Sequence, residues 1–247
     1  MRLLLINPNT SPGITERVLA VAREVASPGV ELAAITGRFG GRYIASRATY
    51  AIAAHAALDA LSRYRGRYDA VVLACFGDPG LLALKEVCSK PVVGMAEASL
   101  AAAILLGRRV ALVTGGEAWV PMLEEFVAAQ GLSERLAAVV AVKPTGADIA
   151  RDPARSLAIL AEATSDAVQR HRADVVVLGG AGLAGLAAPL SARITVPVID
   201  SVACAVRMAE ATASLVPDKA RRPRRDGAEP IGTIGLSASL RDLLRRS

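Results

Sequence analysis

One cysteine stands where chemistry is most easily done. Cys75 follows the apolar run Val71-Val72-Leu73-Ala74 and precedes the turn Phe76-Gly77-Asp78-Pro79-Gly80. Such a run, stopped by Gly and Pro, reads as a buried strand handing over to a helix, here over 81–87. A thiol at that junction lies in the crevice where open α/β sheets bind ligands. The first-turn amides of the following helix are expected to favour its thiolate, the form that attacks electrophiles or abstracts protons. The other two cysteines, Cys88 near the end of a short helix and Cys204 inside one, read as small core residues. No C-x-x-C pair or disulfide framework is present. His55 and His171 have no plausible ligand near them in sequence, which speaks against a His-based metal site. Both fall in helical patterns, which speaks against a Ser-His-Asp triad.

The segment that positions Cys75 occurs twice. Asp69-Ala-Val-Val-Leu-Ala-Cys75 matches Asp174-Val-Val-Val-Leu-Gly-Gly180 position for position, with every number raised by 105. The match continues to a second strand, Pro91-Val-Val-Gly94 against Pro197-Val-Ile-Asp200, and each half opens on a strand, Leu3 to Asn7 and Val110 to Thr114. This doubling predicts two similar α/β lobes with parallel sheets, their strand ends facing one cleft. The expected division is 1–97 with 216–247 for the lobe carrying Cys75, and 98–215 for the lobe carrying Gly180. Gly180 occupies the position of Cys75 in the partner lobe.

Composition agrees with that architecture. Of 247 residues, 53% are hydrophobic but only 3% aromatic, so the core must be built from Ala, Leu and Val, as suits helices on both faces of a parallel sheet. No apolar run is long enough to span a bilayer. The apolar start Met1 to Ile6 is cut short by Asn7-Pro8-Asn9-Thr10, against a signal peptide, so a soluble cytoplasmic protein is expected. Much of the +6 net charge is local, in Arg221-Arg-Pro-Arg-Arg225 and Arg245-Arg246. Without aromatic residues nearby these read as a solvated loop and tail, not a nucleic-acid surface.

Along the chain, the first strand ends in Asn7-Pro-Asn-Thr-Ser-Pro12, with Thr10 or Ser11 placed to cap a helix that has Pro12 in its first position. The amides of Asn7 and Asn9 can hold a polar substrate carbonyl or carboxylate, or can shape the turn. The glycine-bearing loop 37–46, with Arg42, Tyr43 and Ser46, can fold over a cleft. In the second half a helix is expected over 153–172 and another over 201–215, with a short strand and terminal helix over 231–247. Gly180-Ala-Gly-Leu-Ala-Gly185 is formally G-x-G-x-x-G, with Asp200 where a dinucleotide site wants a ribose-binding acid. Three features argue against it. Pro189 interrupts the helix that should present its N-terminus, the motif falls late in the chain, and its sister stretch 75–80 lacks the glycine pattern.

Taken together, Asn7-Pro-Asn-Thr-Ser11, Ala74-Cys-Phe-Gly-Asp-Pro-Gly-Leu81, Pro91-Val-Val-Gly-Met-Ala-Glu-Ala98, Trp119-Val-Pro-Met-Leu-Glu-Glu125, Val196-Pro-Val-Ile-Asp200 and Gly235-Leu-Ser237 resemble the hydantoin/allantoin racemase branch of the aspartate/glutamate racemase superfamily. The resemblance implies two pseudo-symmetric Rossmann-like lobes with the active site between them. It also implies cofactor-free racemisation of a small cyclic ureide at the carbon between a ring carbonyl and a ring nitrogen, commonly by a homo-oligomer. One cysteine removes the proton from one face and a second, from the other lobe, returns one to the opposite face, the enolate being held by amides and small polar groups. On this resemblance Cys75 is the first-lobe acid–base. Asn7, Pro8, Asn9, Thr10, Tyr43, Phe76, Gly77, Asp78, Thr114, Gly115, Ala181 and Gly182 would line the substrate site. The chain departs from the pattern at one place: Gly-Cys-Ala-Gly is replaced by Gly179-Gly180-Ala181-Gly182. A glycine side chain moves no proton, so inversion should be impaired. The alternatives are an arylmalonate-type decarboxylase, which also works with one cysteine, and a non-catalytic ligand-binding homologue.

Overall fold

The duplicated segment is duplicated in space. The structure, a computed structural model, describes residues 1–215 and 232–246. Its first half runs β1 (Arg2–Asn7), α1 (Pro12–Val25), β2 (Glu31–Thr36), α2 (Arg47–Arg63), β3 (Ala70–Leu73), α3 (Leu81–Val87), β4 (Val92–Gly94) and α4 (Met95–Leu106). The second runs β5 (Val110–Gly115), α5 (Trp119–Ala129), β6 (Leu136–Val142), α6 (Gly146–Arg151), α7 (Pro153–Gln169), β7 (Val175–Gly179), α8 (Ala187–Ser191), β8 (Val198–Asp200) and α9 (Ser201–Leu215), with α10 (Ala238–Arg246) closing the chain. Two four-stranded sheets form, in the orders β2-β1-β3-β4 and β6-β5-β7-β8. Every pairing is parallel.

The repeated aspartates set the same joint in each sheet. Asp69 accepts the Arg2 amide at 2.7 Å, where β1 begins. Asp174 accepts the Arg109 amide at 2.7 Å and the Arg108 amide at 3.0 Å, just before β5. These bonds fix the register of the two central pairs, Leu3 on Ala70 and Val110 on Val175.

The strands read as unbroken apolar runs because helices cover both faces of each sheet. Leu3–Ile6, Val71–Leu73, Val110–Val113 and Val175–Leu178 are all buried. Two helices cross between the lobes. α4 follows β4 yet packs on β7, while α9 follows β8 yet packs on β3, β4 and α1, and the two lie against each other. One apolar cluster therefore runs through Leu5 and Val72 of one sheet, Leu112 and Val177 of the other, and Leu100 and Val206 between them.

Three sequence expectations change. The helix expected over 153–172 is α7, which starts at Pro153 with Asp152 accepting the Arg155 amide at 3.1 Å but ends earlier, at Gln169, and it is preceded by the short α6, with a capping box from Thr145 and Asp148, which was not among the expected elements. Ser11 is the N-cap residue of α1 and Pro12 sits in its first turn, but the Ser11 side chain makes no cap bond. No strand forms over 232–237, and the terminal helix α10 packs on α2 and α3. Ile231 and the basic run Arg221 to Arg225 lie outside the described residues.

The start of α4 lacks a capping side chain of its own because its N-cap is Gly94. Asp78, from the loop after β3, supplies it: its carboxylate accepts the Ala96 amide at 2.9 Å and the Glu97 amide at 2.8 Å. A Cβ on Gly94 would lie 2.1 Å from the Asp78 carboxylate. Gly94→Ala should therefore displace a buried anion from its donors and lower the unfolding free energy by about 2–4 kcal/mol. Gly13→Ala in α1, where a Cβ meets nothing within 4 Å, should change it by less than about 1 kcal/mol, towards stability. Denaturant midpoints of the two variants measure the contrast, and equal midpoints would refute this account of Gly94.

Candidate active site

The carboxyl ends of β1 and β3 face those of β5 and β7 across a small cleft. Of the residues expected from sequence, Asn9, Tyr43, Cys75 and Phe76 line it from the first-half loops, and Thr114, Gly115, Gly180, Ala181 and Gly182 from the second. Ile14, Ile44, Ala74, Trp119, Gly146 and Leu183 complete the wall and were not among the site residues expected from sequence, although Ala74 and Trp119 fall within the motifs of the resemblance. Most are apolar residues of helices or loops whose inward face is set by packing. Gly146 opens α6, a short helix outside the elements expected from sequence.

Asn7, Pro8, Thr10, Gly77 and Asp78 stand behind the wall. The Asn7 amide nitrogen donates to Asn9 Oδ1 at 2.8 Å, to Thr15 Oγ1 at 2.9 Å and to the Ser11 carbonyl at 3.2 Å, while its oxygen accepts the Asn9 amide at 3.1 Å. Of the two roles open to Asn7, the geometry favours shaping the turn. Asn9 Oδ1 is also taken by the Ser11 amide at 2.9 Å, so its NH2 end is what Asn9 offers the cleft. The Thr10 amide donates to the Gly41 carbonyl at 3.0 Å, tying this turn to loop 37–46. The Gly77 carbonyl accepts the Tyr50 hydroxyl at 2.7 Å.

Cys75 is buried, and its Sγ donates to the neighbouring Phe76 carbonyl at 3.9 Å. Burial pushes the thiol well above its ordinary value, and the nearby Asp78 charge adds to the rise. This corrects the expectation that helix amides favour its thiolate. Helix α3 starts six residues on, at Leu81, whose amide donates to the Asp78 carbonyl at 3.1 Å. The Asp78 amide donates to the Cys75 carbonyl at 3.0 Å, so this amide of the turn holds the backbone of Cys75 and not its sulfur. Burial and the Asp78 charge both favour the protonated thiol.

On the opposite side, Thr114 Oγ1 donates to the Gly179 carbonyl at 2.8 Å, and the Gly180 amide donates to Ser201 Oγ at 3.5 Å. A Cβ on Gly180 would meet only Leu183 Cδ1 at 3.3 Å and Thr114 Oγ1 at 3.9 Å, so there is room for one. Its φ of +139°, however, is a conformation that side chains of L-residues rarely adopt. A side chain at 180 would thus meet backbone strain as well as the tip of Leu183. The glycine string that follows forms a 3₁₀ turn, Ala181–Leu183, and the five-residue α8. Asp200 is used within the protein, accepting the amides of Gly185 at 2.7 Å, Val202 at 2.8 Å and Ala203 at 3.2 Å. That arrangement is unlike a dinucleotide loop.

Comparison with known proteins agrees with this geometry. The family described as Asp/Glu/Hydantoin racemase matches residues 3–209. A hydantoin racemase of Paenarthrobacter aurescens is 36% identical over 217 residues, covering 87% of this chain and 92% of that protein. The crystal structure of an allantoin racemase from Pseudomonas fluorescens superimposes with a TM-score of 0.84 at 34% identity, over 87% of this chain and 92% of the other. An arylmalonate decarboxylase variant in liganded form shares the fold, with a TM-score of 0.68 at 20% identity over 90% of this chain and 95% of its own. The chain belongs to the Asp/Glu/Hydantoin racemase family and is an isomerase of the racemase class.

The carboxyl of Asp78 gives the site region a pH signature. Burial pushes it up to about 7, against the pull of the Ala96 and Glu97 amides. A folded value above the ordinary 3.8 means that folding favours the protonated form. The resulting stability is fully present below about pH 4 and is lost as pH rises through about 7. In Asp78→Asn that slope should vanish, so the denaturation midpoint changes less between about pH 5 and about pH 8 than in the parent. Equal changes in both proteins would rule the assignment out.

Proposed function

We propose that this family member is a cofactor-independent racemase of 5-substituted hydantoins or allantoin-like cyclic ureides, with Cys75 moving the proton at the ring carbon between carbonyl and nitrogen. The observation that carries the reading is the placing of Cys75: among the described residues it is the only thiol in a cleft walled by the strand-end loops of both sheets. The names of the relatives supply the substrate class. Cys75 abstracts the proton from one face as thiolate, and its raised affinity for protons makes it a strong base once ionised. The electron pair left on carbon spreads onto the ring carbonyl oxygen. In this reading that oxygen is met by the NH2 end of Asn9 and the backbone amides of the Phe76-Gly77 and Ala181-Gly182 turns, beside Thr114 on the wall of the cleft. The apolar wall of Ile14, Ile44, Phe76, Trp119 and Leu183 excludes water around the developing charge and receives the ring substituent.

One enantiomer of a 5-substituted hydantoin, incubated in deuterated water, separates proton removal from inversion when deuterium uptake and optical rotation are followed together. The parent should take up deuterium above the spontaneous rate, and Cys75→Ser should take it up at least about 100-fold more slowly. Parental uptake by Cys75→Ser would overturn the role of Cys75. No uptake by the parent, with hydantoins or with allantoin, would overturn the reaction.

A further inference from the structure

A single thiol serves one face of the substrate carbon, and Gly180 has no side chain to serve the other. We propose that the phenol of Tyr43 is the acid–base group of the second face, standing in for the thiol absent at 180. The inference rests on the reaction proposed above and assigns its missing proton donor.

Three observations carry it. First, of the side chains lining the cleft, only those of Cys75 and Tyr43 titrate. Second, Tyr43 belongs to the loop between β2 and α2, but its hydroxyl is seated on the second sheet. It donates to the Gly115 carbonyl at 3.0 Å and accepts the Gly146 amide at 3.3 Å. Gly115 ends β5, and in the β5–β7 ladder Thr114 is paired with Gly179, so Gly115 and Gly180 are the next residues along neighbouring strands. The hydroxyl is therefore anchored at the end of the sheet where a second thiol would stand, while Cys75 sits at the end of β3 in the other sheet. Third, Tyr43 also borders two open clefts outside the site, one with Arg17 and Arg42 and the other with Glu117 and Lys143. Through them its proton can be renewed from solvent. Burial raises the phenol while Gly146 and Trp119 pull it down, so the proton stays in place until a strong carbon base forms beside it, and the phenolate then has donors.

The step balances without a co-reactant. The Cys75 thiolate takes the proton from one face, forming S–H, and the C–H electron pair passes into the enolate. The Tyr43 hydroxyl turns from the Gly115 carbonyl, its O–H bond breaks, and the proton goes to the opposite face of the carbon. Phenolate and thiol then exchange protons with solvent, or they invert the other enantiomer with roles reversed.

Tyr43→Phe removes only the hydroxyl. With one hydantoin enantiomer in deuterated water, the parent should both exchange and invert. Tyr43→Phe should lose inversion by about 100-fold or more, while deuterium exchange with retained configuration, the Cys75 half-reaction, falls by less than about 10-fold. Inversion by Tyr43→Phe at the parental rate would overturn the proposal. So would a parent that exchanges without inverting, which leaves the Cys75 reaction standing. A parent that does neither removes the reaction and this inference with it. Should Tyr43→Phe lose exchange as well, 3-fluorotyrosine in place of Tyr43, which keeps the hydroxyl but makes it more acidic, decides the matter. The pH limb of inversion should then move to lower pH while that of exchange stays, and an unmoved inversion limb would overturn the assignment.

Discussion

The buried carboxylate of Asp78 is the constraint on which the site depends. The loop after β3 must turn sharply, leave Cys75 at the cleft and still satisfy the first amides of a helix that has only a glycine at its start. One carboxylate meets all three demands. Its side chain holds α4, its own amide holds the Cys75 carbonyl, and its residue adopts a φ of +55° to do both. The second lobe closes the same gap from the other partner. Asp200 stands at the end of β8, caps α9 directly and reaches back to the loop through the Gly185 amide. Two copies of one architecture thus reach the same link between third-strand loop and fourth-strand helix with the acid placed on opposite sides of it.

That solution sets the electrostatics of the thiol. A buried acid beside a buried thiol discourages charge on both, so Cys75 is held protonated and Asp78 is pushed towards neutrality. Such an arrangement suits a base needed only when a substrate's own dipoles enter the cleft, and it keeps an unoccupied site from presenting a reactive thiolate. It differs from a nucleophilic cysteine at a helix N-terminus, where the helix amides stabilise the anion continuously. Here those amides are spent on the chain itself.

The crossed helices explain how two small sheets hold one cleft at a defined width. Because α4 and α9 each pack across to the opposite lobe, the loops after β3 and β7 are braced by helices from both halves of the chain. Further ties cross at the rim. Arg17 of α1 donates to the Ala150 carbonyl of α6 at 2.7 Å, and Tyr43 bonds to the backbone of Gly115 and Gly146. Proton transfer to two faces of one carbon needs donors fixed on opposite walls, and these ties fix the walls.

Much of this was legible in the sequence. Short apolar runs closed by Gly and Pro have few readings other than buried parallel strands. The repeated Asp-Ala/Val-Val-Val-Leu segment made two sheets and one shared cleft follow, and placed Cys75 and Gly180 on opposite sides of it, because strand ends are where a doubly covered sheet exposes its loops. The short α6 was hidden, since the six residues Gly146–Arg151 are too few to show a helical period, whereas α7 was legible from Pro153 onward. What only the tertiary structure decided were the relations between residues far apart in the chain. Asp78 caps the start of a helix, Asn7 turns inward on its own loop, and the Tyr43 hydroxyl rests on Gly115 and Gly146. The thiol of Cys75 is raised and not lowered, because it is buried beside Asp78 and the following helix begins only six residues on. Periodicity and spacing report which face of an element is apolar. They carry no information on which distant backbone group a polar side chain will meet, and in this protein those meetings determine where the protons can go.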